Sequence, residues 1–293
     1  MATLAGNNPT MMDWAKQLEP NGGITTDIVE MLSETNEILM DMTWVEANGP
    51  TTHRSSIRTG LPAVTWRQFY QGVPASKSTY ATVDEPMGML EARSLVDEDL
   101  AKLNGDMAQF RLNEASGFIE AMSQELADTI LYGNASAAPT EFNGLMPRLN
   151  SLSAASGENV IDALGTGTDN TSILLVGWST RTVFGVFPKG SSAGIQREDL
   201  GKQQVADGAG NRYSALEEKF SLKGGLVVKD WRYVVRAANI DKSDLVDESN
   251  AADILKIMTA MVHKIPSLGA VRPVFYVNRT AMTMLDIQAQ NKA

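Results

Sequence analysis

The chain has 293 residues, enough for one large domain or two modest ones with a sizeable core. Its formal net charge of −10 argues against a nucleic-acid groove, which needs a concentrated basic face. There is no cysteine, hence no disulfide, thiolate nucleophile or cysteine metal site, and a reducing cytoplasm suits the chain. The N-terminus lacks the basic start and apolar run of a secretory signal, and no stretch approaches the length of a membrane span.

Residues 1 to about 36 are polar and rich in Asn, Gly and Thr. They carry short helical hints at MMDWAKQL and TTDIVEMLSETNEILM, the second with Thr26 or Asp27 as cap, and they read as an arm. Residues 43–84 change character, being rich in Thr, Val, aromatics, Gly and Pro. Alternation over Thr65–Phe69 and Ser78–Val83, broken at Asn48-Gly49-Pro50, Gly60-Leu61-Pro62 and Gly72-Val73-Pro74, predicts a long exposed β-hairpin or a pair of irregular strands. Trp44, Trp66, Phe69, Tyr70 and Tyr80 have little helical sequence nearby to cover them. The hairpin's charges are mostly basic: Arg54, Arg58, Arg67 and Lys77.

A short acidic helix, LVDEDLAKLNG, precedes the longest helical pattern of the chain, Asp106 to Gly133. There Ala108, Leu112, Ala115, Ile119, Met122, Leu126 and Ile130 recur at steps of four and three, drawing one apolar stripe. Asp106 suits the N-cap and Gly133 the position past the C-terminus. A polar linker, NASAAPTE, leads into Phe142–Leu149. Beyond residue 160, SILLVGW predicts a buried strand and TRTVFGVFP a short helix or turn. Strands follow, with turns at Asp207–Asn211 and Gly224-Gly225. AADILKIMTAMVHKI predicts an amphipathic helix capped by Ser249 or Asn250, RPVFYVN a strand, and Asn278 the cap of a final helix. The fold class is α+β.

No residue constellation rises to an active site. His53 falls in a turn-rich loop and His263 near a helix C-terminus, and neither belongs to a paired metal pattern. Gly165–Asn170 runs into a strand rather than a helix, so it predicts a plain loop and not a phosphate cradle. Asp97-Glu98-Asp99 and Glu217-Glu218 are adjacent acids, which suit a solvated face better than a catalytic dyad. The residues imply no cofactor and no metal.

The ordered set of a polar arm, basic hairpin, long helix ending in LYGN, EFNGLMPRL, IQREDLG, GAGNRY, LVVKDWRYVVRAANI and VFYVNRTAMTML resembles the tailed-bacteriophage major capsid proteins of the Hong Kong-97-type fold. That resemblance implies an N-terminal arm (1–36), an extended loop (37–92), a peripheral domain with a spine helix (93–150) and an axial domain with a central sheet plus strands shared with the peripheral domain (151–293). It implies a structural subunit, not an enzyme, forming hexamers and pentamers of an icosahedral head around double-stranded DNA, assembled in the host bacterial cytoplasm. The partners implied are further copies, a portal and a decoration protein. A separate scaffolding protein is expected, because the arm is short. Such chains continue past the last helix with a strand that returns to the peripheral domain, whereas this sequence stops at Ala293. The competing class is an α+β enzyme or tail-associated binding module. Intersubunit contacts are expected from Arg54, Arg58, Trp66, Arg67, Phe69, Tyr70 and Lys77. Their acidic counterparts are expected at Asp97, Glu98, Asp99, Glu120, Glu125 and Asp128 of a neighbour.

Overall fold

The computed structural model describes residues 36–102, 107–247 and 251–292. The arm's helical hints before residue 36, the Asp106 cap and the Ser249 or Asn250 cap lie outside the described residues. The chain order is α1 (Glu37–Asp41), β1 (Trp44–Glu46), β2 (Thr52–Gly60), β3 (Thr79–Pro86), β4 (Gly88–Asp97), α2 (Glu98–Lys102) and α3 (Met107–Tyr132). Then come β5 (Val160–Asp162), β6 (Thr171–Trp178), β7 (Val183–Phe187), β8 (Gln196–Ala206) and β9 (Arg212–Val228). The last elements are β10 (Val234–Ile240), α4 (Lys242–Asp247), α5 (Ile254–Lys264), β11 (Arg272–Tyr276) and α6 (Arg279–Lys292). Two compact units form, one from the described residues within 1–39, 89–128 and 193–223, the other from those within 40–88, 129–192 and 224–293.

In the first unit, α3 lies against the antiparallel β8–β9 ribbon. Phe118 stacks on Phe220 with ring centroids 5.5 Å apart, and Phe110 joins Val96, Ala101 and Leu216. The apolar stripe holds for Ala115, Met122, Leu126 and Ile130, which are buried. It fails in the N-terminal half: Ala108, Leu112 and Ile119 are exposed, and Phe110, off the stripe, is buried instead. The ring of Phe110 reaches a small satellite core, so the buried side of the helix starts one position aside from the expected line. Glu218, read as part of a solvated acidic pair, is buried between Arg111 and Arg197. Strand alternation turns it inward while Glu217 points to Arg93 at 3.1 Å. A charge so buried is stable only because two guanidiniums face it.

The second unit is built on β6, a strand buried along most of its length between the antiparallel β10 and β11. Its Ile173 and Leu175, with Val235 and Ala237 of β10, meet Ile254, Met261 and Ile265 of the α5 segment and Ala281 and Met284 of α6. Asp253 caps α5, accepting from the Lys256 amide at 3.0 Å, and Asn278 caps α6 as expected, accepting from the Thr280 amide at 2.9 Å. The expected helix or turn near residue 183 is instead β7, running parallel to β1 and antiparallel to the end of β9. A continuous five-residue apolar run suits a strand covered on both faces. Trp44 therefore sits in this sheet, on β1, and not in the hairpin. Gly224-Gly225 is not a turn either; both lie inside β9. A Cβ on Gly225 would come 2.9 Å from the Pro86 carbonyl oxygen, so its bare backbone serves close approach. Gly165–Asn170 is a loop as expected, its Gly167 amide held by Asp241 Oδ2 at 2.9 Å.

Candidate contact surface and its anchoring

β2 and β3 pair antiparallel over nearly their whole length. His53 is therefore a strand residue and not a loop residue; its ring meets Phe184 edge-on at 5.6 Å. Near the root, Ser55 and Glu85 are buried. Along the two strands, cross-strand partners handle the charges locally. Arg54 grips Asp84 directly opposite with two bonds of 2.7 and 2.8 Å, holding the Asp84 carboxyl below its usual range. Arg58 donates to the Tyr80 hydroxyl at 3.1 Å and lies over its ring, which lowers the phenol's pKa.

Beyond Gly60 the strands end, and Leu61–Ser78 form a tip without regular structure apart from a turn at Phe69-Tyr70. The alternation over Thr65–Phe69 thus makes no strand, because no neighbouring segment of the described chain pairs with it. Trp66 is 101% exposed, Phe69 92% and Tyr70 107%, with Tyr70 at a φ of 68°. A bulky residue at positive φ is a strained choice. Covering each such ring is worth roughly 1.5–3 kcal/mol, so this tip is a surface waiting to be covered. Arg67 and Lys77 stand exposed on the same tip.

The acids expected to answer these cations differ among themselves. Asp97 Oδ1 caps α2 by accepting from the Asp99 and Leu100 amides at 2.8 and 3.4 Å. Glu98 is paired with Lys102 and Lys202, first with Lys102, and its carboxyl is held low by them. Glu120 accepts from Gln124 at 3.1 Å. Asp99, Glu125 and Asp128 are exposed.

The anchoring of the hairpin was not legible as such. Gly133 follows α3, and the chain doubles back so that the amides of Gly144, Leu145 and Met146 donate to the carbonyls of Gly133, Ile130 and Leu131 at 2.7, 2.9 and 2.8 Å. Carbonyls left open at a helix end are thereby filled by the FNGLM segment. Gly144 must be bare: a Cβ there would lie 2.7 Å from the Thr129 carbonyl oxygen and 2.9 Å from that of Ile130. Arg148 then donates through Nε to the Gly144 carbonyl at 3.0 Å and forks onto the buried Glu85 at 2.6 and 2.7 Å. One side chain thus ties β3 to the end of α3. The available signal was the glycine followed by an arginine in FNGLMPR.

Among the described residues no helix is long and apolar enough to cross a membrane, and no group of three or more His, Asp or Glu side chains is placed to hold a metal ion. The family model described as "Major capsid protein GP7" matches residues 19–293. The chain is 30% identical, with a TM-score of 0.79, to a chain in the near-atomic structure of bacteriophage Epsilon15, covering 99% of this chain and 88% of that one. A chain of Mycobacterium phage Bobi is 11% identical with a TM-score of 0.51, covering 78% of this chain and 98% of its own. The capsid of an empty GTA particle gives 9% identity and a TM-score of 0.51, over 80% of this chain and 99% of that chain. These last two show a shared fold. No curated protein sequence matches the chain.

Proposed function

As the chain belongs to the major capsid protein GP7 family, we propose that it closes an icosahedral phage head as hexamers and pentamers around double-stranded DNA. Its role in the capsid is structural. The single observation that carries the reading is the hairpin tip, whose Trp66, Phe69 and Tyr70 are almost wholly exposed on the isolated chain. Apolar surface of this kind is covered by a partner, and for a shell subunit the partner is another copy. Within this reading Arg67 and Lys77 on the tip, with Arg58 below it, face acids of a neighbour, whereas Arg54 is taken up by Asp84 of its own hairpin. Asp99 and Asp128 are exposed enough to serve, while Asp97 and Glu98 are occupied within their own unit. Such pairs are individually worth about 0–1 kcal/mol but together set register.

The arm, extended loop, peripheral and axial regions are assigned to 1–36, 37–92, 93–150 and 151–293. Support comes from the chain order and from residues 193–223, which join the compact unit of α3 as shared strands would. Assembly takes place in the bacterial cytoplasm with a separate scaffolding protein, a portal and a decoration protein as partners. The test is electron microscopy of the chain with Trp66, Phe69 and Tyr70 replaced by serine, co-expressed with the scaffold. Folded subunits that form no shells are the expected result; wild-type shells from the triple variant would overturn the assignment of the tip.

A further inference from the structure

Beside the outer half of β2 lies a cleft of about 590 Å³ that shares only Arg58 with the contact residues proposed above. Arg58, Arg181, Lys229 and Arg232 line it, and among the described residues Asp230 is the only carboxylate in the lining. Arg232 takes up that carboxylate with two bonds of 2.9 and 2.7 Å. Arg58 rests on Tyr80, a neutral phenol, which orients the guanidinium without cancelling its charge. Arg181 and Lys229 are exposed and have no ion-pair partner among the described residues. Trp231, 40% exposed, supplies an apolar wall. Three uncompensated cations converging on one concavity repel one another, and a chain of net charge −10 has few to spare. An anion entering the cleft relieves that repulsion.

We propose that this cleft is a carboxylate-binding site that receives acidic side chains from a second copy of the chain, an inference that rests on the self-assembly reading above. Guanidinium forks recognise carboxylates by paired hydrogen bonds, and the Trp231 face covers the methylene stem of a glutamate. A second copy brings acids in excess, 35 against 25 Lys and Arg. The volume lies within the ~300–1,000 Å³ of a small-ligand pocket and so fits a few side chains. A duplex spreads one charge per ~1.7 Å along its axis and calls for an extended basic track, which a single pocket does not offer.

The test uses the purified full chain and two probes, fluorescein-labelled hexaglutamate and a 12-base-pair DNA duplex, at low and high salt. Arg181→Glu/Lys229→Glu is the main variant, and Arg181→Gln/Lys229→Gln, at the same exposed positions, guards against a folding artefact. Wild type is expected to bind hexaglutamate in a salt-sensitive manner, and both double variants at least about tenfold more weakly, with unchanged circular dichroism. Equal binding by wild type and variants, or none by wild type, overturns the proposal. So does duplex binding that depends on Arg181 and Lys229 while hexaglutamate fails to bind, which would make the cleft a nucleic-acid site. Shell formation is scored in the same preparations. Wild-type shells without peptide binding remove the cleft and leave the capsid reading, whereas peptide binding without shells does the reverse.

Discussion

Replacing Arg148 with alanine strips four hydrogen bonds from the root of the hairpin at once: two to Glu85 and one each to the Gly144 and Asn143 carbonyls. Glu85 is only 4% exposed, so its carboxylate is left in a poorly hydrated place with no countercharge. Breaking a buried ion pair from one side costs about 3–5 kcal/mol, and the 25% exposure of the Arg148 side chain favours the lower end. About 3 kcal/mol corresponds to a fall in Tm of roughly 6–12 °C for a unit of this size. Scanning calorimetry of the purified chain reads it directly. The companion variants sharpen the reasoning. Arg148→Lys keeps the charge and loses the fork, so it should fall between wild type and alanine. Glu85→Gln/Arg148→Ala removes the orphan charge and should be more stable than Arg148→Ala alone, a non-additive result expected of residues in direct contact. A Tm loss in Arg148→Ala of under about 2 °C, or strict additivity in the double variant, would show that the fork carries no stability and refute the argument.

Gly144→Ala should destabilise by on the order of 3 kcal/mol or abolish folding, since its Cβ has three backbone atoms within 3 Å, whereas Gly117→Ala, with nothing within 4 Å, should stabilise by up to about 1 kcal/mol; chemical denaturation compares the two. Asp241, held low chiefly by the Ser243 hydroxyl and then by the Asp244 amide, and Asp84, held low by Arg54, have folded pKa values below the unfolded one, near 3.9. Their contribution is therefore full above that value and lost as pH falls through the folded values. The Tm of wild type should drop more steeply below about pH 4 than that of Asp241→Asn or Asp84→Asn, as thermal melts between pH 3 and 7 would register. Trimming the hairpin to β2 and β3 by replacing residues 62–77 with a Gly-Ser linker should preserve the circular dichroism spectrum, because that stretch is exposed throughout, while shell formation fails. A collapse of the spectrum would place the tip in the core.

By itself the sequence determined what depends on neighbours along the chain. The long helix, the hairpin strand Ser78–Val83, the buried strand SILLVGW and the Asn278 cap follow from periodicity, β-propensity and a side chain bonding an amide two residues on, all of them short-range effects. The ordered motifs also carried the family. Only the tertiary structure decided which face of a pattern is buried and which charge has a partner. Leu112 and Phe110 look equivalent locally; a small cluster with Val96 and Leu216 takes the phenylalanine and leaves the leucine exposed. Glu218 became a buried hub and Gly225 a point of close approach through residues far away in the chain, Arg111 in one case and Pro86 in the other. The same holds for Arg148 and Glu85, 63 residues apart. Hydrophobic and electrostatic energies depend on distance in space and on local exclusion of water, and neither quantity exists until the chain has folded.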